Sequence, residues 1–342
     1  MRGKITVHFI LFVVLGVLAV TFSLSAGAAD ISWQETLKVL GSRWNFFSVE
    51  EVDQTSYNII WGLRFPRIIL GLIIGASLSM AGVAFQGLLQ NPLADPYTIG
   101  VSSGAALGVI LSMTLFSLGD IAMGSFMPLA GFLGAMLTLF LVYRLAQVGG
   151  KLPVATLLLS GVVLSSFFSA VISLIMFLSG EELRGIFNWL AGGLSMRGWP
   201  YVFMILPYFG LGLAVLIYYS RDLNLILLGE DTAFNLGVEV EKVKRRVLLA
   251  ASLVTAAAVS VSGMIGFVGL IVPHAARMML GPDHRVLFPS SLLLGGAFMV
   301  MADTFARTVI PPVELPVGIV TAFLGAPFFM YLLWQRRGTF RF

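Results

Sequence analysis

The chain has 342 residues, of which 58% are apolar and 11% are charged, and its mean hydropathy is +0.95. A soluble domain cannot bury that much apolar surface, so this composition excludes a soluble fold and predicts an all-α polytopic membrane protein embedded in a lipid bilayer. The absence of cysteine excludes disulfides and thiolate metal sites. The net charge of +4 requires no nucleic-acid partner, because the predicted topology explains it.

Uncharged runs of about 20 residues, the length that crosses a bilayer, recur along the chain. The first run follows a basic start and ends in small residues like a signal peptide, but we interpret it as span 1 because ten crossings place both basic termini on one side. The long run at 247–276 is divided, since its glycines and Pro273 predict a break. The predicted spans lie near 5–26, 66–89, 96–118, 122–145, 154–178, 200–220, 246–264, 267–280, 286–306 and 315–335.

The distribution of lysine and arginine predicts which side each loop faces. With both termini cytoplasmic, 14 of the 21 basic residues lie in cytoplasmic segments, as the positive-inside rule requires. We therefore expect a multi-pass protein of the cytoplasmic (inner) membrane. The chain reads as one transmembrane domain over 1–342, with an outer segment at 27–65, spans 2–6 within 66–220, a cytoplasmic loop at 221–246 and spans 7–10 within 247–335.

Similar residues recur 181 positions apart, with Arg64 matching Arg245 and Gly82 matching Gly263. Five crossings separate the two copies, so spans 2–5 and 7–10 are predicted to form an inverted internal repeat. Inverted repeats are common in transporters, because two related halves can move against each other to give alternating access. The alternative is chance matching within a sequence rich in glycine and alanine.

The cytoplasmic loop at 221–246 has more apolar residues than a solvated connector needs, including Leu225, Leu228, Phe234 and Leu236. This pattern favours a docking surface for a cytoplasmic protein. The chain has no GxxxxGK[ST] phosphate-binding loop, because both of its Gly-Lys pairs are followed by Ile or Leu. We therefore expect a non-enzymatic subunit that binds no cofactor, and if ATP is the energy source, ATP and Mg must be held by a separate ATPase subunit.

Seven stretches, in order along the chain, resemble the FecCD-type permeases, which are type II ABC importer subunits for ferric siderophores, haem and cobalamin. The resemblance covers about 55–335 and implies a homodimer, two ATPase subunits below it and an extracytoplasmic substrate-binding protein. It implies an iron complex as cargo, either a ferric siderophore or haem, with cobalamin or another corrinoid as the alternative. The stretches are LRFPR (63–67), QGLLQNPLADPYTIGVSSGAALG (86–108), LLGEDTAFNLGV (227–238), SGMIGFVGLIVPHAAR (262–277), GPDHR (281–285), ADTFAR (302–307) and ELPVGIVTAFLGAPFF (314–329).

The resemblance also implies roles for particular residues. Arg64, Arg67 and Arg307 would meet glutamates of the binding protein at the outer mouth, unless they only anchor the spans at the lipid interface. Arg307 is expected to be oriented by Asp303, one helical turn away. The ATPase-coupling loop would comprise Gly229, Glu230, Asp231, Leu236, Gly237 and Val238.

Two further sites follow from the same resemblance. Arg184, on a short outer helix between spans 5 and 6, would contact an anionic cargo, and its alternative partner is Glu181. The cytoplasmic gate would lie in the turn at 149–156, where Pro153, Val154 and Ala155 would form a narrow apolar seal. No metal site is predicted, since His274 lacks a second ligand at suitable spacing.

The competing class is an ion-driven secondary transporter contained in a single chain. Such a protein needs acidic residues in the middle of the membrane. Every Asp and Glu of this chain falls in a loop or near the end of a predicted span. This distribution favours a permease that is driven by a partner.

Overall fold

The computed structural model describes residues 2–27, 31–42, 53–116, 123–179 and 183–335. Almost all of them are helical. A π-helix at Asn58–Arg64 leads into the fourth α-helix, and a 3₁₀ turn at Pro96–Ile99 precedes the fifth. The α-helices are α1 (Arg2–Ser25), α2 (Trp33–Ser42), α3 (Gln54–Tyr57), α4 (Phe65–Leu88), α5 (Val101–Phe116), α6 (Met123–Ala146), α7 (Val154–Leu178), α8 (Leu183–Leu190), α9 (Trp199–Tyr218), α10 (Ser220–Ile226), α11 (Glu230–Asn235), α12 (Val240–Ser262), α13 (Val268–Leu280), α14 (His284–Thr308) and α15 (Val317–Gln335).

Each predicted span coincides with one of these helices, and the all-α polytopic class is confirmed. Seven helices of the described segments are long and apolar enough to cross a membrane, while α5, α13 and α15 are shorter apolar helices. The third span begins at Val101 rather than at residue 96, because Asp95 caps a separate 3₁₀ turn that ends at Gly100 in the left-handed region (φ +82°). Part of the outer segment, residues 28–30 and 43–52, lies outside the described residues.

The helix packing follows the internal repeat. If spans 2–5 are α4–α7, their counterparts in the second copy are α12–α15. Helix α4 packs against α14, and α12 packs against α6. These two contacts are equivalent in the repeat, because α12 is the counterpart of α4 and α6 is the counterpart of α14. In the same way α5 packs against α6 as α13 packs against α14, and α4 and α12 pack against each other between the halves. The repeat seen in sequence therefore corresponds to a repeated set of helix contacts.

Helix α4 lies at the centre of the bundle and is buried along nearly its whole length. It approaches its neighbours through glycine: a Cβ atom on Gly75 would lie 2.1 Å from the carbonyl oxygen of Gly295, and one on Gly82 would lie 1.9 Å from that of Gly269. Small residues allow such close approach between membrane helices. Ser79 adds a hydrogen bond of 2.7 Å to the carbonyl oxygen of Ser291 on α14.

The long apolar run at 247–276 is interrupted, as its glycines predict. Helix α12 ends at Ser262, and Gly263 takes a positive φ of +71°. Helix α13 starts at Val268, directly after Phe267, which also has a positive φ (+68°). Non-glycine residues rarely adopt that conformation, so the surrounding packing must hold this break in place.

Candidate functional sites

The outer end of the bundle, as predicted from charge, is held together by Arg67 in the first turn of α4. Its guanidinium donates hydrogen bonds of 2.9–3.2 Å to both carboxylate oxygens of Asp303 on α14. It also donates bonds of 3.0 and 3.1 Å to Glu314, in the loop before α15. Bidentate arginine–carboxylate pairs are among the strongest hydrogen bonds in proteins, so Arg67 joins three elements of the bundle.

The other two predicted docking arginines contact the end of α1. Arg64 donates a hydrogen bond of 3.0 Å to the carbonyl oxygen of Leu24. Arg307 bonds to the carbonyl oxygen of Ser23 and, at 2.7 Å, to its hydroxyl. Cationic groups at a helix C-terminus complement the unpaired carbonyls there. Both side chains are buried, so these arginines have internal structural partners, and their docking role stays a prediction.

Asp303 lies beside Arg307, as their i,i+4 spacing predicts, but it makes a long ion pair with Arg307 and not a hydrogen bond. Its carboxylate is bound primarily by Arg67, whose sequence separation of 236 residues gave no hint of the contact. The nearest nitrogen of Arg307 lies 3.9 Å from the same carboxylate, too far for a hydrogen bond. The i,i+4 spacing placed the two residues on one helix face but could not reveal the competing partner from α4.

These arginines line an outer recess of about 680 Å³. Arg197, which sequence reasoning missed, also lines it and stacks 4.5 Å from the ring centre of Tyr201. Among the residues that the structure describes, Glu314 is the one acidic side chain that lines the recess. Burial raises the pKa of Glu314, but hydrogen bonds from Ser195 and Arg67 outweigh this effect and lower it overall. Four arginines and one carboxylate give the recess a positive potential that suits an acidic partner. The lining arginines are Arg64, Arg67, Arg197 and Arg307.

The expected short outer helix between spans 5 and 6 is present as α8. Arg184 lies in its first turn and is exposed, so its guanidinium is accessible. Glu181, the alternative partner, lies outside the described residues. A second cavity of about 320 Å³ adjoins α8 and is lined by Asn188, Trp189 and Ser262 among others.

The cytoplasmic loop folds into two short helices, α10 and α11. The turn between them contains Gly229 (φ +110°), and the turn after α11 contains Gly237 (φ +88°). Both conformations are strained for other residues, which explains glycine at these two positions. Gln90, at the end of α4, donates a 3.0 Å hydrogen bond to the carbonyl oxygen of Ile226, so the loop is attached to the bundle.

Three apolar side chains of this loop, Leu228, Phe234 and Leu236, project from the bundle with 59–71% of their surface exposed. We call them the coupling surface. Two other apolar residues of the loop, Ala233 and Val238, are buried against the bundle and need no partner. Contiguous exposed apolar groups outside the membrane mark an interaction site, so the coupling surface supports the predicted docking of another protein.

The turn at 149–156, which we call the gate turn, follows α6 and leads into α7. Pro153 precedes α7 in an extended conformation, and Thr156 donates a 2.9 Å hydrogen bond back to the carbonyl oxygen of Ala146. Pro153 and Ala155 are exposed and Val154 is half-buried, so the three are positioned to contact whatever lies beside the turn. Their role as a seal stays a prediction.

No cluster of three or more potential metal-binding side chains occurs among the described residues. The described residues combine a basic recess at one end of the bundle, an apolar coupling surface at the other and a repeated set of helices between them. This combination is that of a multi-pass membrane transport protein.

Comparison with known proteins identifies its family. The FecCD transport family model matches residues 14–335. The chain therefore belongs to the FecCD transport family, and it is a permease of the type II ABC importer class.

Named relatives and a solved structure agree with this assignment. The chain is 50% identical over 285 residues to the cobalamin import system permease protein BtuC of Halobacterium salinarum, covering 83% of this chain and 76% of that protein. It is 36% identical to the hemin transport system permease protein HmuU of Yersinia pestis, covering 98% of both. An inward-facing structure of an ABC transporter described as metal-chelate type superposes with a TM-score of 0.82 at 32% identity, over 96% of this chain and 98% of the other.

Proposed function

We propose that this chain forms the translocation pathway of an importer as a homodimer, with two ATPase subunits on its cytoplasmic side and a substrate-binding protein on its outer side. The coupling surface is the observation that supports this proposal most directly. A chain without a phosphate-binding loop must obtain energy from a partner, and Leu228, Phe234 and Leu236 offer that partner an apolar contact outside the membrane. ATP and Mg are bound by the ATPase subunits.

A second copy of the chain is proposed to cover α7 and α15, the helices expected to line the pathway. Both helices expose large apolar side chains in the single chain, such as Phe167 and Phe177 on α7 and Phe323 and Tyr331 on α15. Helix α4, by contrast, is satisfied within the chain. The dimer axis would then pass between these faces, with the gate turn at its cytoplasmic end and Arg184 near its outer end.

The outer recess supports docking of an acidic binding protein. Its arginines lie at the ends of α4 and α14 that face away from the coupling surface, so the two partners would bind at opposite ends of the bundle. Charge complementarity of this kind speeds encounter and fixes orientation more than it adds affinity. We propose, as the distribution of basic residues predicts, that both termini lie in the cytoplasm and that the protein resides in the cytoplasmic membrane.

The proposed cargo is a metal chelate. The sequence resemblance favoured an iron complex, meaning a ferric siderophore or haem, over a corrinoid. Of the two named relatives, the cobalamin permease is 50% identical to this chain and the hemin permease is 36% identical. The corrinoid is therefore the first cargo to test. Uptake of cyanocobalamin, haemin and ferric hydroxamate into vesicles that contain the complete complex would distinguish them.

The coupling assignment is tested by Phe234→Asp, which places a charge in the coupling surface without touching the buried core. Thr232→Asp, on the same helix and also exposed, is the matched control. We expect Phe234→Asp to prevent co-purification of the ATPase subunit, while Thr232→Asp retains it. Normal binding of the ATPase subunit by Phe234→Asp would contradict the proposal.

A further inference from the structure

Lys244, in the second turn of α12, is buried although it lies at the cytoplasmic end of the bundle, with 4% of its surface exposed. Its ammonium group lies 2.6 Å from a carboxylate oxygen of Glu230, the first residue of α11. It also lies 3.6 Å from Glu241, on its own helix. The buried cation therefore joins the coupling helix to the start of α12.

Glu241 extends this connection to the gate turn. Its second carboxylate oxygen accepts a 2.9 Å hydrogen bond from the backbone N–H of Leu152. Leu152 directly precedes the proline that begins α7 and is itself buried. A continuous line of polar contacts thus runs from α11 through Lys244 and Glu241 to the backbone of the gate turn.

The type of contact matters for how motion passes along this line. Apolar side chains can slide past one another at little cost, whereas the contacts at the two ends of this line, Lys244 to Glu230 and Leu152 to Glu241, hold their atoms at 2.6 and 2.9 Å. The link between them, from Lys244 to Glu241, is an ion pair at 3.6 Å. Leu152 also belongs to the same buried apolar cluster as Val238 and Val240, which flank the coupling loop. The gate turn and the loop are therefore held both by packing and by a geometrically specific polar contact.

We propose that Lys244 is a positioning residue that makes the gate turn follow the coupling helix, with Glu230 and Glu241 as its partners. The inference rests on the proposed function, because it requires an ATPase subunit to move the coupling surface. When α11 shifts, the ion pair with Glu230 moves Lys244. Glu241 then transfers the displacement to the N–H of Leu152 and so to the first turn of α7.

The test begins with the full chain in lipid nanodiscs. The chain has no cysteine, so two introduced cysteines are the only labelling sites. Lys151→Cys in the gate turn and Asn235→Cys at the end of α11 both replace exposed residues. Double electron–electron resonance between spin labels at these positions reports how firmly the gate turn is held to the coupling helix. This measurement needs neither the ATPase subunit nor the cargo.

Lys244→Met retains the length of the side chain and removes its charge. Lys242→Met is the matched control, because Lys242 is exposed on the same helix and pairs with Glu239 at the surface. We expect Lys244→Met to broaden the distance distribution and Lys242→Met to leave it unchanged. Glu230→Gln, at the half-buried end of the line, should also broaden the distance distribution, and it provides a second test if Lys244→Met fails to fold.

A second measurement uses the complex with its ATPase subunit. The labelling rate of Ala155→Cys by a maleimide should change when ATP is added, and Lys244→Met should reduce that change by about tenfold while ATP hydrolysis continues. An unchanged distance distribution and an unchanged ATP response in Lys244→Met, or in Glu230→Gln if the first variant does not fold, would overturn the inference. Failure of the wild-type chain to bind an ATPase subunit would instead refute the proposed function, and the distance measurement would still test the role of Lys244.

Discussion

The hydroxyl of Tyr97 donates a 2.8 Å hydrogen bond to the carbonyl oxygen of Ile265 and accepts a 2.9 Å bond from the N–H of the same residue. Ile265 lies in the break between α12 and α13. A side chain from the first half of the repeat therefore satisfies both backbone groups of a residue in the second half, at a place where the helix cannot satisfy them itself.

Tyr97→Phe should destabilise the protein, because it leaves a buried N–H and a buried carbonyl without this partner. Each unsatisfied buried group costs about 1–3 kcal/mol. We expect a lower melting temperature in detergent with little change in the packing of the ring. Tyr208→Phe is the control, since Tyr208 contacts Phe132 and has no hydrogen bond among the described residues. Equal melting temperatures for Tyr97→Phe and wild type would show that the two bonds add nothing to stability.

Arg67 and Asp303 should be strongly coupled in a double-mutant cycle. Removing one partner of a buried ion pair leaves an uncompensated charge and costs about 3–5 kcal/mol. We expect Arg67→Met to lower the free energy of unfolding strongly. Asp303→Asn should lower it less, because Glu314 still pairs with Arg67. The double variant should lose less stability than the sum of the two single losses. Additive losses in the free energy of unfolding would contradict a direct interaction.

Arg197→Gln should weaken docking of the binding protein without disturbing the fold. Arg197 lines the outer recess but has no ion pair among the described residues, unlike Arg67 and Arg307. An exposed charge pair is worth up to about 1 kcal/mol, so the affinity should fall by about two- to fivefold at low salt. The difference should shrink at high salt, where surface charges are screened.

The control for this experiment is Lys38→Gln, on α2 and outside the lining of the recess. An affinity of Arg197→Gln that equals wild type at low salt would show that the recess does not bind the partner. Charge reversal of Arg64, Arg67 and Arg307 would be a poorer test, because it would also break their hydrogen bonds to α1, Asp303 and Glu314.

Most of the fold could be predicted from the sequence. A membrane helix must make its backbone hydrogen bonds within itself, so it is recognised by its length and hydropathy. The same signal placed the break at 263–267, because clustered glycines interrupt an otherwise apolar run. It could not place the start of α5, where Asp95 caps a short 3₁₀ turn. Caps depend on local hydrogen bonds that hydropathy does not report.

The site was less predictable, because its key contacts join residues far apart in sequence. Arg67 and Asp303 were each singled out, yet their pairing appears only when α4 and α14 are packed together. Lys244 and Glu241 lie near the end of the predicted cytoplasmic loop at 221–246, and nothing in their spacing shows that the first is buried. The glycines at 229 and 237 both have positive φ, because such turns favour glycine and so leave a local sequence signal, while their role in ATPase coupling stays a prediction.

The burial of α4 has a consequence for how the chain is made. Three of the helices that cover it, α12, α13 and α14, belong to the second half and leave the ribosome long after α4 does. Until then Ser79 lacks its acceptor on α14 and Arg67 lacks both of its carboxylates. The first half is therefore inserted in the membrane but incompletely packed until the second half has been synthesised. A chain that is truncated before α14 should remain incompletely packed and be degraded by quality-control proteases.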